Sequence, residues 1–246
     1  MITFAVTVCN ELSEFVRLTA IIGDYPDSQL LIQSDANRVT PEVLGAIEQV
    51  KSMHNNVDHY SIPLDNEDFG AFKNKLFDNA RGEWIFQIDA DEYPCAYLLG
   101  VLPDILESNA DTDVLLVPRL NYVRGLTEQH VREWGWNLST FGDDNHLVVL
   151  PYTIDPGYME LIKKYGRVIP SDTGEIVCEE PVVNFPDYQW RLYRNKPEIR
   201  WVNRVHERLI GFSSYTALPS DPDYCLIHRK EIRRQEKQNE RYSKIT

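Results

Sequence analysis

The sequence contains no apolar run near the roughly 20 residues that a helix needs to cross a bilayer, which excludes a membrane-spanning helix. Positive charge is scarce. With 25 Lys+Arg against 38 Asp+Glu the net charge is −13, so most of the surface repels a polyanion and non-specific binding to nucleic acid is excluded. Cysteine is sparse too: Cys9, Cys95, Cys178 and Cys225 are scattered, and no two have the C-x-x-C spacing of a zinc or redox site. A chain of 246 residues has core enough to need no disulfide staples, and reduced, mostly buried thiols are expected. The first residues, Met-Ile-Thr-Phe-Ala-Val-Thr-Val, carry no basic leader and begin as a strand, so a cytoplasmic location is expected. Internal repeats, low-complexity linkers and a clear domain boundary are also absent.

What is present is a core-forming composition, 43% hydrophobic, arranged as alternating strand and helix. Strands are expected at Ile2 to Val8, Leu30 to Gln33, Val57 to Ile62, Trp84 to Ile88 and Val114 to Val117. Between them lie helical stripes at Glu11 to Ile22, at Thr40 to Met53 with Thr40 as cap and Pro41 in the first turn, and at Phe69 to Ala80, closed by Gly82. A further helix spans Tyr97 to Leu106. This order predicts an α/β fold with a mostly parallel central sheet flanked by helices. From Arg119 to Phe185 the pattern weakens and loops are expected. Short strands return at Trp190 to Tyr193 and Arg200 to Val205, and a charged surface helix closes the chain within Lys230 to Lys244.

Sheets of this kind bind ligands beyond the carboxyl ends of their strands. Asp35 and the pair Asp89/Asp91 fall at such ends. Residues i and i+2 of an extended segment project to one side, so Asp89 and Asp91 are placed to converge on one cation. Two hard oxygen ligands suit Mg²⁺ or Mn²⁺, with a substrate phosphate completing the shell. A helix-loop-helix calcium site is excluded, because Pro94 stands where that loop demands glycine.

The stretch from Phe69 to Glu92, in which an Asn74-bearing helix leads through Ala80-Arg81-Gly82-Glu83-Trp84 into a strand ending Asp89-Ala90-Asp91-Glu92, resembles the core of family 2 glycosyltransferases of the GT-A fold. Two later blocks resemble them in the same order: Phe185 to Glu207, and Cys225-Leu226-Ile227-His228-Arg229 before a basic helix. With the opening strand these blocks cover roughly half of the chain. The resemblance implies one GT-A, Rossmann-like domain over 1–246, with a nucleotide-sugar-binding half at 1–118 and an elaborated acceptor-side half at 119–246. It implies that Thr7, Glu11, Asp35, Asn74 and Asp89 hold the nucleotide sugar, and that Asp89, Asp91 and His228 hold Mn²⁺ or Mg²⁺.

The implied reaction moves a sugar from a nucleoside diphosphate, a UDP-sugar first among donors, to a hydroxyl of a glycan, a lipid-linked or another acceptor. The leaving diphosphate gains charge in the transition state, which a bound cation and nearby Arg191, Arg194, Arg229 or Lys230 would offset. Inversion needs a carboxylate as general base; Asp187, just before a strand on the acceptor side, ranks ahead of Glu207. Aromatics between Tyr122 and Tyr165 (Trp134, Trp136, Phe141, Tyr152, Tyr158) are candidates for an acceptor pocket, and the basic tail for peripheral contact with anionic lipid. Two alternatives stay open: a sugar nucleotidyltransferase of the same architecture, although Cys9-Asn10-Glu11-Leu12-Ser13 lacks the Gly-rich basic loop of that class, and a non-catalytic nucleotide- or carbohydrate-binding module.

Overall fold

A computed structural model describes residues 1–141, 147–149, 167–170, 176–179 and 181–243, with backbone alone at residues 128, 140, 141, 147–149, 167–170 and 176–179. The first half alternates as its periodicity dictates: β1 (Ile2–Val8), α1 (Leu12–Ile22), β2 (Ser28–Asp35), α2 (Pro41–Met53), β3 (Val57–Ile62), α3 (Phe69–Phe77) and β4 (Trp84–Asp89). Next come β5 (Glu92–Pro94), α4 (Ala96–Ser108), β6 (Val114–Val117), β7 (Arg119–Arg124), β8 (Leu126–Thr127) and α5 (Glu128–Trp134). The strands β9 (Leu138–Phe141), β10 (Leu147–Val149), β11 (Arg167–Pro170), β12 (Ile176–Glu179) and β13 (Val182–Val183) follow. Last are β14 (Gln189–Arg194), β15 (Arg200–Val202), β16 (Arg208–Ile210), β17 (Tyr215–Ala217), β18 (Leu226–Glu231) and α6 (Ile232–Tyr242).

The central sheet has seven strands in the order β17-β6-β14-β4-β1-β2-β3. β3, β2, β1 and β4 run parallel, and β14 inserts antiparallel between β4 and β6. Alternation along the strands builds two cores. Phe4, Val6, Phe86 and Ile88 pack against Phe15, Leu18 and Ile22 of α1, Val43 and Ile47 of α2, and Leu98 and Leu102 of α4. On the other face Ala5, Leu31, Ile85 and Tyr193 meet Leu76 and Phe77 of α3 and Trp201 of β15. A six-stranded sheet, β10-β9-β13-β7-β18-β5, leaves the first one just past the end of β4.

Several expectations change. Arg119 to Phe185 is not dominated by loops where it is described: β7, β9 and β13 of the second sheet come from it. The helix α3 stops at Phe77 rather than near Gly82. There the Asn79 amide bonds the Lys75 carbonyl, and Gly82 instead passes so close to β1 that a Cβ would lie 2.5 Å from the Thr3 nitrogen. The strand from Arg200 ends at Val202, because Asn203 and His206 take positive φ. Tyr152, Tyr158 and Tyr165 lie outside the described residues, as does the side chain of Phe141. Cys9, Cys95 and Cys225 are free thiols; Cys225 is buried and the other two half-buried, while the Cys178 side chain is outside the description. No helix among the described residues is long and apolar enough to cross a membrane.

Candidate active site

β4 carries Asp89 to the lip of the central sheet, opposite Thr7 at the end of β1. Thr7 Oγ1 donates to Asp89 Oδ1 at 3.0 Å, and Arg191 Nη2, from the inserted strand β14, donates to Asp89 Oδ2 at 2.5 Å. Lys73 of α3 adds a second cation, its Nζ 3.7 Å from Asp89 Oδ1 and 3.2 Å from Glu207 Oε1. Burial alone would raise the pKa of Asp89, but Arg191 and then Lys73 outweigh it and hold the carboxyl well below the usual range. Asp91 lies on the other flank, its Oδ2 3.4 Å from His228 Nε2. Against burial, the imidazole of His228 and the ammonium of Lys230 keep Asp91 low as well.

The two aspartates are joined by an unbroken chain of polar contacts. Glu92, only 1% exposed, accepts from Arg191 Nη2 and from Arg119 Nη1, both at 2.6 Å. Arg119 donates through Nε and Nη2 to Asp187 Oδ2 at 3.0 and 2.6 Å. Asn121 Nδ2 donates to the same oxygen at 2.8 Å, and Asn121 Oδ1 accepts from His228 Nδ1 at 2.8 Å. Sheet register makes this possible: on β18, His228 stands between Asn121 of β7 and Glu92 of β5. The circuit runs Asp89, Arg191, Glu92, Arg119, Asp187, Asn121, His228, Asp91.

The other expected site residues are placed as follows. Asp187 has its carboxylate occupied by the three donors named above and by Gln189 Nε2 at 2.7 Å, and its pKa is lowered because Arg119 outweighs its burial. Glu207 follows the left-handed residue His206 and faces Lys73. Glu11 Oε2 accepts from the backbone of Cys9 at 2.8 Å and Asn10 at 3.0 Å, bracing the loop after β1. Burial, then Glu11 and Asp35, push the Cys9 thiol up to about 11. Asp35 is 4% exposed, and its Oδ1 accepts from the Asn37 and Leu64 backbone at 3.1 and 3.2 Å. Asn74 grips the backbone of Trp201 at both its N–H and its C=O, each at 2.8 Å. That grip sets the Trp201 ring 5.0 Å from Lys73 Nζ.

Of the four candidate cations, Arg191 is in the site and Lys230 borders it, bonded to Gln235 at 3.0 Å and Gln238 at 2.7 Å. Arg229 stacks over Tyr122 at 5.2 Å. Arg194 is a correction. Its register partner is Trp84, five residues down β4 from Asp89 and so about 17 Å away, where it pairs with Glu83 and the Ala110 carbonyl. Lys73, Glu92, Arg119 and Asn121 were not singled out by the sequence. The signal for Lys73 was present: it sits four residues after Phe69 and three before Leu76, on the apolar stripe of α3, where a lone charge calls for a partner.

The tail helix α6 does more than face solvent. Arg234 pairs with Glu14 at 2.7 Å and approaches Glu11 at 3.6 Å, while Arg241 pairs with Glu67 at 2.6 Å. Tyr242 meets the rings of Phe69 and His206 at 6.3 and 5.7 Å. The helix therefore bridges the loop after β1 and the entry to α3.

No protein-family model matches the chain, and no curated protein sequence does either. Among solved structures, that of S. aureus TarS 1-349 in complex with UDP is similar over 93% of this chain and 60% of that one, with TM-score 0.55 at 15% identity. The complex of the same protein with UDP-GlcNAc gives TM-score 0.53 at 16% identity, over 93% of this chain and 58% of that one. The chain thus spans less than two thirds of the structures it matches. The likeness is one of fold: a mostly parallel central sheet flanked by helices, the GT-A fold.

Proposed function

We propose that this chain is a glycosyltransferase that moves a sugar from a nucleoside diphosphate, a UDP-sugar, to a hydroxyl acceptor with inversion. The observation that carries the reading is the division of labour at the end of β4: Asp89 is matched to the chain's own cations, while Asp91 is matched to His228. That the structural relative binds UDP and UDP-GlcNAc supports the choice of donor.

The cleft between Thr7, Glu11, Asp35 and the acidic pair takes the nucleotide, with the base toward Asp35 and the ribose toward Asp89. Among the described residues no three carboxylate, imidazole or thiolate groups form a ready metal cage. Asp91 and His228 nevertheless fit a divalent ion as an open pair: 3.4 Å is within the span of two ligands each about 2.0–2.2 Å from one ion. Phosphate oxygens fit the rest of such a shell. Asp89, taken by Arg191, Lys73 and Thr7, is left out of it. Asp91 and His228 would hold Mn²⁺ or Mg²⁺, which would supply charge neutralisation to the departing diphosphate. Lys73 and Arg191, fixed before substrate arrives, add preorganised positive charge on the Asp89 side. Because four donors occupy Asp187, we assign the acceptor's proton to Glu207, which has Lys73 to orient it, and give Asp187 a positioning part.

Calorimetry with UDP tests this reading. Binding should tighten on adding Mn²⁺ and lose that gain in Asp91→Ala, while Glu207→Gln should keep UDP binding and lose about 10²–10⁴-fold in turnover. UDP binding indifferent to chelator would remove the cation, and near-normal turnover in Glu207→Gln would return the base to Asp187.

A further inference from the structure

The circuit around the acidic pair fixes atoms that diffraction alone seldom distinguishes. Asn121 has two faces, an N–H₂ and a carbonyl, and in isolation either could meet either neighbour. Asp187 decides between them. An ionised carboxylate only accepts, so Asn121 turns Nδ2 to it at 2.8 Å and is left with Oδ1 toward His228. Arg119 holds Asp187 ionised in that position, and Glu92 holds Arg119. Oδ1 in turn only accepts, so the proton of that contact belongs to Nδ1 of His228. The imidazole therefore presents Nε2 to Asp91 Oδ2 at 3.4 Å, whatever the charge on the ring. In the neutral ring Nε2 is a lone pair facing a carboxylate oxygen, an arrangement that asks for a cation between them.

We propose that Asp187 and Asn121 are positioning residues that set the tautomer of His228, making Nε2 the metal-facing nitrogen. This inference rests on the proposed metal role of Asp91 and His228, and it assigns Asp187 a task distinct from proton abstraction. Outer partners of this kind are worth about 10–100-fold in metal affinity when removed. Asp187→Asn changes the charge of the partner and hardly its shape. With an amide on both sides, Asn121 can turn over, and its two faces no longer differ much in energy.

The test is ¹⁵N NMR of the ring of His228 in metal-free protein, with the pH raised until the ring signals are those of neutral imidazole. Mn²⁺ affinity in the presence of UDP is measured alongside it. The wild-type ring should be protonated at Nδ1 alone. Asp187→Asn should give a mixture of Nδ1–H and Nε2–H forms and bind Mn²⁺ about 10-fold more weakly. Asn121→Leu, which keeps the apolar volume and removes both faces, should lose the Nδ1–H preference even if Asp187→Asn fails to fold. A wild-type ring protonated at Nε2, or a pure Nδ1–H signal in both variants, overturns the proposal. Wild-type protein that shows pure Nδ1–H, loses it in the variants and yet binds no Mn²⁺ upholds the tautomer relay and refutes the metal reading separately.

Discussion

Arg191 shows how much one residue holds at this site. A single Nη2 bridges Asp89 and the buried Glu92, and the whole side chain is only 5% exposed. Removing a partner from a buried ion pair leaves uncompensated charge and costs about 3–5 kcal/mol. Arg191→Met should lower the unfolding free energy by that amount, read from the fall in the urea midpoint, and Arg191→Lys should recover only part, since an ammonium cannot replace the planar fork. An unchanged midpoint in Arg191→Met would mean that Lys73 and Arg119 suffice. At this scale the sequence was legible for the placement of Asp89 and Asp91 at the end of β4, and for Arg191, which stands within a recognisable block. It was opaque for Glu92, Arg119 and Asn121. Their importance lies in register between strands far apart in the chain: Arg119 and Asn121 share a face of β7 with Val123, and what they meet is set by β18 lying beside them.

Elements place what residues do. The helix α3 meets the turn after β15 through its first N–H groups, Phe69 bonding the Arg204 carbonyl at 3.0 Å and Gly70 that of Asn203 at 3.2 Å. A Cβ on Gly70 would stand 2.6 Å from the Asn203 oxygen, so backbone must give way. Gly70→Ala should therefore cost about 1–3 kcal/mol, the usual range for overpacking, and displace the turn that leads to Glu207. Denaturant melts and turnover measured together check it: lost stability with unaltered turnover would show that the turn does not position Glu207. The parallel βα units were readable because strand and helix periods differ plainly over six to thirteen residues. The second sheet was not, being built of two- to six-residue strands whose polar positions point into the site.

At the scale of the whole molecule the depressed carboxyls make an acid-stability argument. Asp89, Asp91, Asp113 and Asp187 all titrate lower in the folded chain than the ordinary value near 3.9. Their contribution is complete above about pH 4 and is withdrawn as pH falls from there, because the unfolded chain takes up protons that the folded one refuses. Urea midpoints should be nearly level between pH 7 and 5 and fall steeply below 4; a level profile down to pH 3 would contradict the ion-pairing of the site. Both the 1–118 and the 119–246 segments supply strands to the central sheet, and β14, from the second, lies between β4 and β6 of the first. Until residues 189–194 leave the ribosome, β4 and β6 are two bare apolar margins with a gap between them. At about 5–20 residues per second that interval lasts on the order of 4–15 s. The strand that fills the gap brings Arg191 with it, so β4 and β6 are bridged and Asp89 and Glu92 gain their shared cation in one event.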